Sequence, residues 1–161
     1  MAGSFPFSSP LFGPPWGDDE RDPATARTQP QGPGRVLIID DEADVRELFR
    51  DILQGAGFEA VAAESGAAGL EILQSDPRIR VVLLDLLMPE MDGWRFRHHQ
   101  LSQPRYAAIP TVIVTGAPLG GAAHEQLQAA DYLSKPVTRE RLIGTVAKYC
   151  DPGSASGTPA R

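Results

Sequence analysis

Short apolar runs recur along this chain, and the segments between them carry apolar residues at helical rather than strand spacing. Val36-Leu37-Ile38-Ile39 is the β-branched run that a buried parallel strand needs. Val45, Leu48, Phe49, Ile52 and Leu53 then follow at i, i+3, i+4, i+7 and i+8, one face of a helix that Gly55 and Gly57 end. Phe58 to Val61 reads as a second strand, and Ser65 offers an N-cap to a helix carrying Leu70 and Leu73. Val81 to Leu84 is a third strand, followed by a helix capped by Asp92 and bearing Trp94 and Phe96. Thr111 to Val114 is a fourth, and residues 120–130 form an alanine-rich helix. Tyr132 and Leu133 make a fifth strand, and Thr138 opens a last helix with Leu142, Ile143, Val146, Ala147 and Cys150 on one face. Five strands alternating with five helices predict an α/β fold: a doubly wound, five-stranded parallel sheet with helices on both faces.

That pattern occupies residues 35–150. Residues 1–34 hold 7 of the 15 prolines and cannot sustain a regular helix or ladder, so a disordered arm is expected there. Phe5, Phe7, Phe12 and Trp16 lie in the same arm, either as incidental aromatics or as a short docking motif. Residues 151–161 form a Gly/Ser/Pro tail, also expected to be disordered.

Composition narrows the function classes. A net charge of -6 argues against a nucleic-acid surface or an anionic membrane as partner, so neither DNA nor membrane is expected. One cysteine excludes an internal disulfide framework. Apolar runs stop far short of the ~20 residues needed to span a bilayer. No basic start leads into an apolar core, so no signal peptide is read and a cytoplasmic protein is expected.

The chemistry lies where the strands stop. The first ends in Asp40-Asp41, the third in Asp85, the fourth in Thr115 and the fifth at Lys135. In a parallel sheet all carboxyl ends share one edge, and ligands bind there. Three carboxylates, a hydroxyl and an ammonium therefore converge on one site. Three close carboxylates repel, and a hard divalent cation resolves the conflict because it prefers oxygen ligands. Mg²⁺ suits the set better than zinc, since no His or Cys stands at the strand ends. A cation beside a lone lysine can hold a phosphoryl group, and a carboxylate can itself be the nucleophile, forming an acyl phosphate.

Val36-Leu37-Ile38-Ile39-Asp40-Asp41-Glu42, Asp85-Leu86-Leu87-Met88-Pro89-Glu90-Met91-Asp92-Gly93, Val114-Thr115-Gly116 and Tyr132-Leu133-Ser134-Lys135-Pro136 together resemble the receiver domain of two-component response regulators. The resemblance covers about residues 35–150 and implies the flavodoxin-like (βα)5 fold of the CheY-like superfamily. By that likeness Asp85 is the phosphoacceptor, charged by a histidine kinase or phosphotransfer protein. Asp41, Asp85 and the backbone carbonyl of Leu87 would bind Mg²⁺, with Asp40 acting mainly through a metal-bound water. Lys135 would pair with Asp85 at rest and with a phosphate oxygen afterwards, across a cis Lys135-Pro136 peptide. Thr115 would donate its hydroxyl to the phosphoryl group, and Gly116 would keep the approach open. Tyr132 resembles the switch aromatic that turns inward when Thr115 moves, altering the surface of the fourth helix, fifth strand and fifth helix.

Three departures accompany the likeness. Gln128-Ala129 stands where the family usually has Gly-Ala, the stretch from Thr115 to Lys135 is slightly short, and Leu87 puts an apolar side chain beside the site. His98-His99 reads as a solvated pair, Trp94 as packing, and Cys150 as an inert part of the last helix face. The reading is a stand-alone regulator that is no enzyme beyond its own phosphorylation and dephosphorylation, signalling to an unknown downstream protein. The alternative is an unphosphorylated pseudo-receiver serving as a scaffold. A phosphatase of the haloacid dehalogenase type would want an acid at position 87, which is leucine.

Overall fold

The computed structural model of the chain describes residues 34–150. The expected arm with its aromatics, Gly34 apart, and the expected tail 151–161 lie outside the described residues. Ten elements alternate along the chain: β1 (Arg35–Ile39), α1 (Ala43–Gly55), β2 (Glu59–Ala63), α2 (Gly66–Ser75), β3 (Ile79–Asp85), α3 (Gly93–Ser102), β4 (Thr111–Thr115), α4 (Gly121–Leu127), β5 (Asp131–Ser134) and α5 (Arg139–Ala147). The strands form one parallel sheet in the order β2-β1-β3-β4-β5.

Alternation along the strands feeds two apolar layers. Val36 and Ile38 of β1, Val81 and Leu83 of β3, and Val112 and Val114 of β4 face α1 and α5, meeting Phe49, Leu53, Leu142, Val146 and Cys150. The intervening Leu37, Ile39, Val82, Leu84 and Ile113 face α2, α3 and α4, meeting Leu73, Phe96 and Leu127. Both sheet faces are covered, which is why the central strands read as continuous apolar runs. Each fully buried large side chain contributes roughly 1.5–3 kcal/mol.

The expected caps are made. Ser65 Oγ accepts from Ala68 N–H at 3.2 Å, an Asp92 carboxylate oxygen from Arg95 N–H at 2.9 Å, and Thr138 Oγ1 from Arg141 N–H at 3.3 Å. Cys150 is buried in the α1/α5 layer but lies three residues beyond the end of α5 rather than on its face, and Trp94 packs against the other layer.

Four local readings change. Leu48 is 54% exposed, because Val45, Phe49, Ile52 and Leu53 centre the buried stripe of α1 and leave position 48 at its edge. Ala147 is exposed for the same reason on α5. β2 spans Glu59–Ala63, not 58–61, and Phe58 before it is buried against the α1 layer. α4 spans only Gly121–Leu127 within the expected 120–130, since Gln128 takes a left-handed conformation, φ 44° and ψ 42°, that ends the helix.

Candidate functional site

Sheet register alone brings the polar strand ends together. Ile39 pairs with Leu84, so Asp40 and Asp85 leave β1 and β3 side by side. Asp85 pairs with Val114, which sets Thr115 one step further on β4. Thr115 pairs with Ser134, and Lys135 follows. β1 and β3 are also the neighbours at which the strand order reverses direction, the place where a crevice opens in such sheets.

The two ends of the sheet differ in how charge is settled. At the amino edge Arg35 meets Glu59 at 3.0 Å and Asp76 at 2.7 Å, and Arg78 meets Glu59 at 3.3 Å. Burial would raise the Asp76 carboxyl, but its bonds to Arg35 and Arg78 outweigh that and hold it below the usual range. An open depression lined by Arg35, Gln54, Phe58, Glu59 and Arg78 lies at this edge, where the charges are already paired. At the carboxyl edge, oxygens of Asp40, Asp41 and Asp85 lie within 4.8 Å of one another. Lys135 is the cation among them. Its Nζ is 2.9 Å from Asp40, 3.6 Å from Asp85 and 3.6 Å from Glu42.

The two buried acids are aimed by the backbone. Asp40, 2% exposed, accepts from Glu42 N–H at 2.9 Å through Oδ1 and from Lys135 through Oδ2. Its own carbonyl accepts from the Arg46 guanidinium at 2.7 Å. Asp85, 4% exposed, accepts from Leu87 N–H at 3.2 Å. Asp41 is exposed. Burial first, then the charges of Asp40 and Asp41, push the Asp85 carboxyl above its ordinary range, against the opposing Leu87 amide and Lys135. Burial would lower the Lys135 ammonium, but the Asp40 hydrogen bond and the charges of Asp40, Asp85 and Glu42 raise it.

Every strand-end residue named from the sequence is at this edge, with two refinements. Lys135 takes Asp40 as its hydrogen-bond partner and reaches Asp85 only as a longer ion pair, because Asp40 Oδ2 faces it directly. A Cβ at Gly116 would meet nothing nearer than Lys135 Cβ at 4.0 Å, so the glycine relieves no contact within this structure. The Lys135-Pro136 peptide is cis. Thr115 is buried, and its Oγ1 accepts from Ala117 N–H at 3.2 Å. Tyr132 lies half-buried with its ring 4.0 Å from that of His124, and its hydroxyl donates to the His124 carbonyl at 3.4 Å. Leu87 is 64% exposed at the mouth of the site. His98 and His99 are exposed on α3, away from the strand ends.

The donors are all oxygen and the cluster carries more negative charge than one lysine offsets. That set fits Mg²⁺, which prefers carboxylate oxygens and retains several waters. Supplied there, Mg²⁺ would neutralise charge on a bound phosphoryl group.

Sequence reading did not single out Glu42 or Arg46 at the site, or His124 beneath Tyr132. It also missed Arg97 and Gln100, buried on α3. The signal for the last pair was present: Gly93, Phe96, Arg97 and Gln100 fall at i, i+3, i+4 and i+7, a buried stripe with polar members.

Known proteins bear on this geometry. A family model described as the response regulator receiver domain matches residues 36–147. Among curated relatives, the two-component response regulator ORR5 of Oryza sativa is 32% identical over 108 residues, covering 66% of this chain and 81% of that protein. A 14.6 kDa protein of Leptolyngbya boryana is 33% identical over 122 residues, covering 71% of this chain and 88% of its own length. Among solved structures, the chemotaxis protein CheY4 of Vibrio cholerae superposes with a TM-score of 0.68 at 28% identity, covering 72% of this chain and 98% of that one. A response regulator receiver protein from Pseudomonas putida gives the same TM-score of 0.68 and identity of 28%, over 72% and 97%. The matched stretch is the one that builds the sheet and brings the three aspartates to its carboxyl edge, and this chain belongs to the response regulator receiver domain family.

Proposed function

We propose that Asp85 is the residue that carries the phosphoryl group. A carboxylate oxygen of Asp85 attacks the phosphorus of a phosphohistidine on a kinase or phosphotransfer protein. The P–N bond breaks, the imidazole leaves with a proton, and an acyl phosphate remains on Asp85. Asp41, Asp85 and the Leu87 carbonyl would hold Mg²⁺, with Asp40 supporting it, and the ion would supply positive charge to the phosphoryl oxygens. Lys135 holds a phosphate oxygen, and the Thr115 hydroxyl donates to another. The observation that carries this reading is the deep setting of Asp85 beside Asp40 and Lys135, its carboxylate aimed by the Leu87 amide.

Tyr132 reports the change. Its ring rests on His124 in this structure, and movement of Thr115 toward a phosphoryl group would leave space for it to turn inward. The signal then passes to a protein partner through the surface of α4, β5 and α5. Folded residues 35–150 form the signalling unit, and the aromatics of residues 1–34 contribute to partner docking. Among the described residues no helix is long and apolar enough to cross a membrane, and we place this chemistry in the cytoplasm.

The test is intact mass after incubation with Mg²⁺ and acetyl phosphate, beside Asp85→Asn. One added phosphoryl group on the parent and none on the variant is the expected result. No adduct on the parent, together with no response to beryllofluoride, would favour a scaffold with an idle pocket.

A further inference from the structure

Arg97 is a charged side chain, 4% exposed, and among the described residues no carboxylate is bonded to it. A buried guanidinium without a counter-charge is costly, and burial holds its pKa below the ordinary arginine value. Its hydrogen bonds explain how it is accommodated. Nε donates to the Leu127 carbonyl at 2.7 Å and Nη2 to the Gln128 carbonyl at 2.6 Å. Nη1 donates to Gln100 Oε1 at 2.8 Å and to Thr111 Oγ1 at 3.1 Å. Gln100 is fully buried and donates in turn to the carbonyls of Tyr106 and Ile109, at 3.3 and 3.2 Å. The Thr111 hydroxyl donates to Gln100 Oε1 at 2.8 Å. One network therefore joins α3, the loop after it, the start of β4 and the carboxyl end of α4.

The carbonyls that Arg97 takes are those a helix end leaves without partners. They also flank Gln128, which holds the left-handed turn that glycine adopts more readily. The rest of α4 is loosely attached. It opens with Gly120 and Gly121, at neither of which a Cβ would touch anything, and Leu127 is its one fully buried side chain. Its other tether is Tyr132, its ring tilted against that of His124 at 4.0 Å and its hydroxyl bonded to the His124 carbonyl.

We propose that Arg97 is a positioning residue for the switch, a clamp that fixes the carboxyl end of α4 to α3 and β4. The Tyr132–His124 contact is then the tether that gives way, and phosphorylation loosens α4 from its amino end while Leu127 and Gln128 stay in place. This inference rests on the reading of Tyr132 as the switch aromatic. Arg97 touches no reacting group, so its loss leaves the phosphorylation chemistry alone and changes how tightly switching is coupled to it.

The test uses the full chain with Mg²⁺ and beryllofluoride, following Tyr132 ring signals by NMR and amide exchange at Leu127, Gln128 and Ala130. In the parent, Tyr132 should respond while those three amides keep their protection. Arg97→Lys keeps the charge but not the fork, and should speed their exchange by about tenfold or more and shift the beryllofluoride midpoint of the Tyr132 response. Thr111→Val, close in shape, removes one partner of Nη1 and should do the same more weakly, so the clamp is tested even if Arg97→Lys folds poorly. A merely structural residue would lower thermal stability and leave the midpoint unchanged, and that result overturns the clamp alone. A parent whose Tyr132 ignores beryllofluoride overturns the switch reading and the clamp with it.

Discussion

Lys135 donates to Asp40 at 2.9 Å while standing 3.6 Å from Asp85, so of the two buried carboxylates it is Asp40, and not Asp85, that holds the lysine of this site. Asp40 thus both positions the lysine and adds to the charge that burdens Asp85.

Asp40→Asn should weaken that arrangement in a measurable way. The ammonium loses its strongest partner and the oxygen cluster loses a full charge, so Mg²⁺ affinity should fall by roughly 10–100-fold, the range for supporting groups around a metal. Calorimetric titration with Mg²⁺ checks this; an unchanged affinity would remove Asp40 from the site.

Asp85 carries a pH dependence of definite sign. Its folded carboxyl titrates above the ordinary value of 3.8, mainly through burial and the Asp40 charge. The folded state therefore binds the proton more tightly than the unfolded chain does. Stability falls as pH rises from about 3.8 to the raised folded value, and above it the cost is fully present. Asp85→Asn should accordingly melt higher than the parent at pH 7 with chelator present, and Mg²⁺ should narrow the gap by neutralising the parent's cluster. Thermal melts with and without Mg²⁺ decide it, and a variant that melts lower in chelator counts against the charge burden.

Gly93→Ala should damage the site through the backbone. A Cβ at Gly93 would run into the Asp85 carbonyl oxygen and approach Leu86 Cα at 2.7 Å, with no flexible side chain to give way except Leu86 Cδ2 at 3.0 Å. Overpacking of this kind costs about 1–3 kcal/mol. The displaced segment includes Asp85, so the rate of phosphorylation by acetyl phosphate should fall along with the melting temperature. Loss of stability with a full phosphorylation rate would separate the two.

Leu87→Asn should shorten the life of the phosphorylated form. The leucine side chain projects to solvent at the mouth of the site and has no group to orient a water molecule, whereas an amide does. Placing an attacking water supplies on the order of tenfold or more in rate. Decay of the mass-tagged phosphoprotein measures it, and equal lifetimes for the two proteins would sink the idea.

Much of the site was legible along the chain because its members are marked locally. Asp40, Asp41, Asp85, Thr115 and Lys135 each stand where an apolar run stops, and parallel strands in register must bring such positions to one edge. Ser65, Asp92 and Thr138 were likewise readable as caps, since a cap is bonded within three residues. Leu48 and Ala147 were not, because a helical period gives a stripe but does not say which neighbour covers its margin.

What the sequence determined by itself is the alternation of strand and helix, the strand-end chemistry and the family, all of which are carried by short spacings and residue types. Only the tertiary structure decided that Lys135 bonds Asp40 before Asp85, that Tyr132 rests on His124, and that Arg97 closes the end of α4. The physical reason is the nature of the partners. Arg97 reaches main-chain carbonyls 30 and 31 residues away, and every residue has a carbonyl, so nothing in the letters of the chain marks which ones a buried guanidinium will find.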